Sequence, residues 1–113
     1  MSKKTKIPPK NHNVYVIELK KEALKHKKFK DQRDKLGPDG RCFYVGMTGL
    51  SPEERFENHK RGYKSNKLVQ KYWLYLRHKL FEKYNPMTQE EASRMEVWLA
   101  RKLREKGHAV HQA

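Results

Sequence analysis

Five polar residues have the types and the spacing needed for chemistry on a phosphodiester: Tyr15, Tyr44, Arg55, His59 and Glu96. Arg55 and His59 lie four residues apart in a predicted helix, so they share one face of it. The two tyrosines each lie in a predicted strand. An arginine can bind a phosphate through two hydrogen bonds, a tyrosine or histidine can relay a proton, and a carboxylate can hold Mg²⁺.

Glu96 does not fit the amphipathic pattern of the last predicted helix. It lies four residues after Ala92 and three before Leu99, so it falls on the apolar stripe of the helix. A buried carboxylate without a partner is costly. Two interpretations stay open: the residue lies at the edge of the stripe and extends to water, or its carboxylate faces a cation across a cleft.

The composition favours a polyanionic partner. Among 113 residues there are 27 Lys and Arg against 13 Asp and Glu, a net charge of +14. A charge of this size attracts nucleic acid first, with DNA the expected partner, and an anionic membrane surface second. No apolar run approaches the roughly 18 residues that a spanning helix needs, so no membrane association is expected.

The cysteine and histidine residues exclude two further classes of protein. Cys42 is the only cysteine, so no internal disulfide can form, and the six histidines do not have the spacing of a zinc site. The basic N-terminus is followed by no apolar signal region. These features predict a cytoplasmic protein.

The chain length predicts one domain at 12–113 after a basic flexible arm at 1–11. Alternating apolar residues predict strands at 13–19 and 41–47, which can pair as a hairpin. Between them lies a basic insert, 20–36, which has eight basic and three acidic residues. Few of its residues could be buried, which predicts a loosely attached helix.

Capping signals define two further helices. Ser51 and Glu54 form the sequence pattern of a capping box, predicting a helix at 52–62, and Thr88 and Glu91 repeat it for a helix at 87–107. Segment 65–86 favours a helix first and allows a short strand near 80–84. The final HAVHQA can add a brief strand.

The ordered set of motifs resembles the GIY-YIG endonuclease superfamily. The chain has a "VY" strand, a "YVG" strand, Arg-x-x-x-His on the next helix and a glutamate on a late helix. The stretch NPMTQEEASRMEVWLARKLREKGHAV is similar to the end of small stand-alone members. The resemblance covers most of 13–112. It implies an α+β fold, a small three-stranded antiparallel sheet flanked by helices.

The resemblance also implies roles for six positions. The two motif tyrosines match Tyr15 and Tyr44, and the helix arginine and histidine match Arg55 and His59. The metal-binding glutamate matches Glu96. The motif glycine matches Gly46, which would leave room for the chain to turn beside a bound phosphate.

Three features depart from the family pattern. Asn13 stands where the first motif usually has glycine, and Met47 stands where some members carry lysine. The insert lengthens the spacing between the motif tyrosines. Some members also have an asparagine near the end of the domain, and this chain has His108, His111 and Gln112 in that region, with no role assigned.

The chemistry implied by the resemblance is metal-assisted hydrolysis of DNA. Mg²⁺ or Mn²⁺ would bind Glu96, and Tyr15 would take a proton from the attacking water. Because an unperturbed tyrosine has a pKa near ~10, Arg55, the metal or a neighbouring base must assist it. His59 could hydrogen-bond Tyr15 or the water, Arg55 would stabilise phosphate charge, and Tyr44 would orient water or phosphate.

Six basic residues are the predicted nucleic-acid contacts: Lys25, Lys28, Lys30, Lys60, Arg61 and Lys64. The chain offers no separate recognition domain, so we expect low sequence selectivity, a second copy or a larger-complex partner. Two alternatives remain open. One is a catalytically silent nucleic-acid-binding module of the same fold, and the other is a small basic structural protein such as a ribosome-associated one.

Overall fold

The sheet is the centre of the fold. A computed structural model describes residues 7–113, so most of the predicted basic arm lies outside the described residues. Strand β1 (Asn13–Leu19) pairs antiparallel with β2 (Cys42–Thr48) and with β3 (Trp73–Leu76). Strand β4 (Ala109–Gln112) pairs parallel with β2, giving the order β3-β1-β2-β4.

The α+β class is confirmed, but the sheet is larger than three antiparallel strands. The additional strand is β4, in the segment that the sequence marked as able to form a brief strand. Its Ala109 and Val110 are buried, and its backbone groups pair with those of β2. A buried segment needs partners for its N–H and C=O groups, and the edge of β2 supplies them.

Two helices begin and end where their caps predict. Helix α1 (Pro52–Arg61) has the Ser51 capping box and ends at Gly62, which has a φ of +83°. Helix α3 (Gln89–Glu105) has the Thr88 capping box and is followed by Gly107 at a φ of +96°. Glycine adopts such left-handed conformations without strain, so both helices can end sharply.

Segment 65–86 folds differently from its prediction in its second half. Helix α2 (Lys67–Tyr72) begins after Asn66, whose side chain caps it, and gives way directly to β3. The strand predicted near 80–84 is wrong, because Glu82–Tyr84 forms a 3₁₀ turn. The strand forms instead at the aromatic WLYL stretch, which hydrogen-bonds to β1. Phe81, which follows it, is buried in the core.

The basic insert is not a loosely attached helix. It forms three short 3₁₀ turns, Lys21–Lys25, Lys27–Phe29 and Arg33–Lys35, and both Ala23 and Phe29 are fully buried. These two residues are six positions apart, so a straight α-helix would place them on different faces. Successive short turns allow both to face the core. Within residues 7–113, no helix is both long and apolar enough to cross a membrane.

Candidate active site

The Tyr15 hydroxyl lies over Gly46. These residues are partners across the β1–β2 pair, so they share one face of the sheet. A Cβ at Gly46 would lie 2.6 Å from Tyr15 Oη and 2.7 Å from Cζ. The sequence-based reason for this glycine was wrong: Gly46 lies inside β2, not in a turn, and its missing side chain leaves room for the tyrosine ring.

Tyr15 and His59 form a buried hydrogen-bonded pair. Tyr15 Oη lies 2.9 Å from His59 Nε2, and the residues are 1% and 0% exposed. The backbone N–H of Asn66 donates to His59 Nδ1 at 3.4 Å. The neutral ring therefore carries its hydrogen on Nε2, which donates to the tyrosine oxygen. Asn66 was not identified from the sequence, although its position as an N-cap was a readable signal.

Burial keeps both members of this pair neutral. Desolvation, then the charge of Arg55, lowers the pKa of His59 to about 4. Desolvation, reinforced by Tyr44, raises the pKa of Tyr15 above its ordinary value, while Arg55 opposes the rise. Near neutral pH the pair is thus an imidazole and a phenol.

Tyr44 completes an aromatic cluster on this face. Its ring centroid lies 6.2 Å from that of Tyr15, 5.5 Å from that of His59 and 5.7 Å from that of His111. The pKa of Tyr44 is raised, chiefly by burial. The charge of Arg55 opposes this rise, and the charge of Glu96 adds to it. His111 was noted in the sequence without a role, and only the parallel pairing of β4 places it opposite Tyr44.

A backbone carbonyl holds the side chain of Arg55. Its Nη2 donates to the carbonyl oxygen of Lys64 at 2.8 Å. Lys64 has a φ of +47°, a left-handed conformation that is uncommon for a residue with a side chain. The loop after α1 therefore fixes the guanidinium, whose charge acts on the pKa values of Tyr15, Tyr44 and His59.

Glu96 is buried and does not extend to water. Glu96 is 7% exposed, and its Oε1 accepts a hydrogen bond from Gln112 Nε2 at 3.1 Å. Burial raises the pKa of this carboxyl, and the bond from Gln112 opposes the rise. Gln112 pairs with Val45, the residue before Gly46, so the carboxylate lies beside the motif segment of β2.

The donor set around Glu96 fits a magnesium ion and no closed metal cage. The described part of the chain, 7–113, holds no group of three or more His, Cys, Asp or Glu side chains that could bind a metal. Mg²⁺ keeps several of its waters and commonly binds one or two carboxylates plus a substrate phosphate. One carboxylate beside the Gln112 amide matches that requirement.

The predicted nucleic-acid contacts differ in how free their charges are. Lys60 Nζ pairs with Glu57 at 2.7 Å, and Arg61 bonds to the Asn58 side chain. Lys25, Lys28 and Lys30 are exposed on the insert, whereas the Lys64 ammonium lies 5.6 Å from the Tyr63 ring centroid.

The insert packs beside the aromatic cluster. The Phe29 ring lies edge-on to His111, with centroids 6.4 Å apart. Gln32 makes two hydrogen bonds with the Val110 backbone, at 2.9 and 2.7 Å. Lys28 helps to lower the pKa of His111, after the larger effect of burial. The packing therefore brings the basic insert close to Tyr44.

Comparison with protein-family models, with curated proteins and with solved structures gave no match in any of the three.

Proposed function

We propose that this protein is a divalent-metal-dependent endonuclease of the GIY-YIG type that hydrolyses phosphodiester bonds in DNA. The observation that carries the proposal is the Tyr15–His59–Tyr44 cluster over Gly46, with a fixed Arg55 charge acting on all three rings. Glu96 supports it from the neighbouring helix. The α+β class is consistent with the fold that the resemblance implies, although the sheet here is mixed and has four strands.

In this mechanism Arg55 binds a phosphate oxygen and stabilises the charge that develops during attack by water. The water oxygen forms a bond to phosphorus and its proton passes to Tyr15 Oη. The bond from phosphorus to the leaving oxygen breaks, the leaving oxygen keeps the bonding electrons and takes a proton from solvent, and Tyr15 releases its proton to solvent. Tyr15 can take this proton only as a phenolate. Hydrogen-bond donation from His59 Nε2 and the Arg55 charge both favour that form.

Glu96 would hold the Mg²⁺ or Mn²⁺ ion, and Gln112 would orient its carboxylate. When bound, the ion would supply positive charge that stabilises the negative charge developing during hydrolysis. The exposed lysines of the insert would contact the nucleic-acid backbone next to the cluster.

A catalytically silent nucleic-acid-binding protein is the second candidate. One observation favours it: Tyr15 is 1% exposed and its pKa is raised, so the resting side chain is a poor base. This candidate requires only the basic surface. It predicts binding of DNA without cleavage under any metal condition.

A cleavage assay separates these candidates. Purified protein is incubated with plasmid, single-stranded DNA and RNA, with Mg²⁺, Mn²⁺ or EDTA. We expect metal-dependent cleavage of DNA that is lost in Glu96→Gln and retained in Glu90→Gln, a matched change at an exposed residue of α3. Equal cleavage by the parent and Glu96→Gln would remove the proposed role of Glu96. Binding without cleavage in every arm would favour the silent module.

A further inference from the structure

Four lysines line one cavity outside the candidate site. The cavity, of ≈ 220 Å³, lies between the two 3₁₀ turns His78–Leu80 and Glu82–Tyr84 and the second half of α3. Its lining includes Lys79, Lys83, Lys102 and Lys106, which we call the lysine cleft. Leu80, Leu99 and Leu103 also line it, so the long lysine stems can pack on apolar surface while their ammonium groups face outward.

The charge of the lysine cleft is poorly neutralised. No Asp or Glu is among its lining residues. Across the described residues, only Lys102 of the four forms an ion pair, with Glu105 at 3.4 Å. Lys83 Nζ lies 5.3 Å from the Tyr84 ring centroid, and Lys102 Nζ lies 5.8 Å from that of Trp98. Four like charges around one small cavity repel each other, so an anion placed there is stabilised by all of them.

A second cavity borders the lysine cleft. Tyr84 and Trp98 pack edge-on, with centroids 5.9 Å apart, and both also line a second, open cavity of ≈ 530 Å³. Lys10 and Arg94 line that cavity, together with one carboxylate, Glu91. Arg94 is also paired with Glu90 at 3.0 Å, so the second cavity is less basic than the lysine cleft.

The lysine cleft is centred further along α3 than Glu96. Lys102 and Lys106 follow Glu96 by six and ten residues, which is about 9 and 15 Å along a helix with a rise of 1.5 Å per residue. Glu96 contacts Gln112 of β4, which does not line the cleft, although Leu99 and Leu103 of the same apolar stripe do. The four lysines are therefore separate from the residues of the candidate active site.

We propose that the lysine cleft binds backbone phosphates of a nucleic acid, as a second contact separate from the candidate site. Recessed apolar residues bordered by four lysines suit a chain of phosphates. A second copy of this chain would meet repulsion, because each carries a net charge of +14. An anionic membrane is a poorer occupant, because the apolar floor is recessed and cannot enter lipid. The proposal rests on the proposed function only for its choice of nucleic acid as the occupant.

Two separate contacts, at the candidate site and at the lysine cleft, have a consequence for substrate length. A strand that reaches both Glu96 and the lysine cleft must extend along α3. Short duplexes can occupy one contact at a time, whereas a longer or branched molecule can occupy both. Affinity should therefore rise with substrate length until both contacts are bridged.

The test measures binding without cleavage, in EDTA and in the Glu96→Gln background. The variant changes Lys79, Lys83 and Lys106 to Gln, and leaves Lys102 with its partner Glu105. The matched control changes Lys67, Lys71 and Arg101 to Gln, which are exposed residues outside the cleft and which remove the same total charge. A labelled duplex is titrated at several salt concentrations.

We expect the slope of log K against log salt to flatten by roughly two to three units in the cleft variant, since each lost phosphate contact contributes about 0.9. The control should change the slope by less than one unit. Equal slopes in the two variants would overturn the proposal. Binding to phosphatidylserine vesicles is measured in parallel, and a cleft variant that loses vesicle binding but keeps its DNA binding would also overturn it. Cleavage is scored separately with Glu96 intact. If the parent binds DNA without cutting it and the slope is flattened in the cleft variant, the proposed nuclease activity is wrong and the proposed phosphate contact at the lysine cleft is supported.

Discussion

The space left by the missing side chain of Gly46 is occupied by the hydroxyl group of Tyr15. The residues are partners in the β1–β2 pair, and a Cβ at Gly46 would approach Tyr15 Oη to 2.6 Å. The tyrosine is buried against His59, so its ring has little freedom to move away. The position of the tyrosine oxygen therefore depends on a glycine on the neighbouring strand.

Gly46→Ala should destabilise the protein by about 1–3 kcal/mol, because the added methyl group overpacks a buried ring. Chemical denaturation measures the free energy of unfolding. Gly49→Ala is the matched control, since a Cβ there meets only His12, at 3.5 Å, an ordinary contact. The explanation requires Gly46→Ala to cost less in a Tyr15→Ala background, and an equal cost in both backgrounds would contradict it.

Tyr15→Phe and Arg55→Ala should each lower the rate at saturating DNA at least ~100-fold, because proton transfer and charge stabilisation act in the transition state. The dissociation constant should change less than about threefold. Single-turnover kinetics and a binding titration measure the two quantities. Tyr63→Phe and Arg101→Ala, at exposed positions, are controls. Lost affinity with an unchanged rate would make both residues binding contacts.

Gln112→Ala should raise the Mg²⁺ concentration for half-maximal cleavage roughly 10- to 100-fold, the usual cost of losing a partner that orients a metal ligand. The reason is the 3.1 Å hydrogen bond from Gln112 Nε2 to Glu96. A magnesium titration of the cleavage rate measures it, with Gln89→Ala, an exposed residue of α3, as the control. The same magnesium dependence in parent and variant would exclude a role for Gln112 in holding the carboxylate.

The stability of the fold should fall as the pH drops from about 6.5 to about 4. The unfolded chain protonates its histidines near their ordinary pKa of ~6.5, whereas burial lowers the pKa of His59 to about 4 in the folded protein. The unfolded state thus binds more protons across this window, and stability rises with pH. The contribution of His59 is on the order of 3 kcal/mol when complete.

Denaturation at pH 4, 5, 6 and 7 checks this dependence. His59→Asn should reduce the slope, while His108 and His111, whose pKa values burial also lowers, retain part of it. His12→Asn is the matched loss of a histidine away from the cluster. A slope in His59→Asn as steep as that of the parent would show that His59 is not held neutral by the fold.

The insert lysines should contact phosphate. Changing Lys25, Lys28 and Lys30 to Gln should flatten the slope of log K against log salt by roughly two to three units if all three make contacts with duplex DNA. The rate at saturating DNA should barely change. The variant with Lys67, Lys71 and Arg101 changed to Gln is again the control. An unchanged slope would assign this part of the insert to the solvated surface.

Short-range sequence patterns were enough to predict the strands and helices that local interactions determine. Strands β1 and β2 follow from alternating residues, and α1 and α3 from the capping boxes at Ser51 and Thr88, because such signals act within a few residues. The α+β class follows from the same elements. The anomaly of Glu96 was also visible, since helical periodicity alone places it on the apolar stripe.

Tertiary structure decided what depends on residues far apart in the chain. The Tyr15–His59 bond joins positions 44 residues apart, and the Gln32–Val110 bonds join positions 78 apart. Burial of Ala23 and Phe29 against the core divides the insert into short turns, overriding its helix-forming composition. The parallel pairing of β4 brings Gln112 to Glu96 and His111 to Tyr44, because a strand register fixes contacts that no local pattern contains.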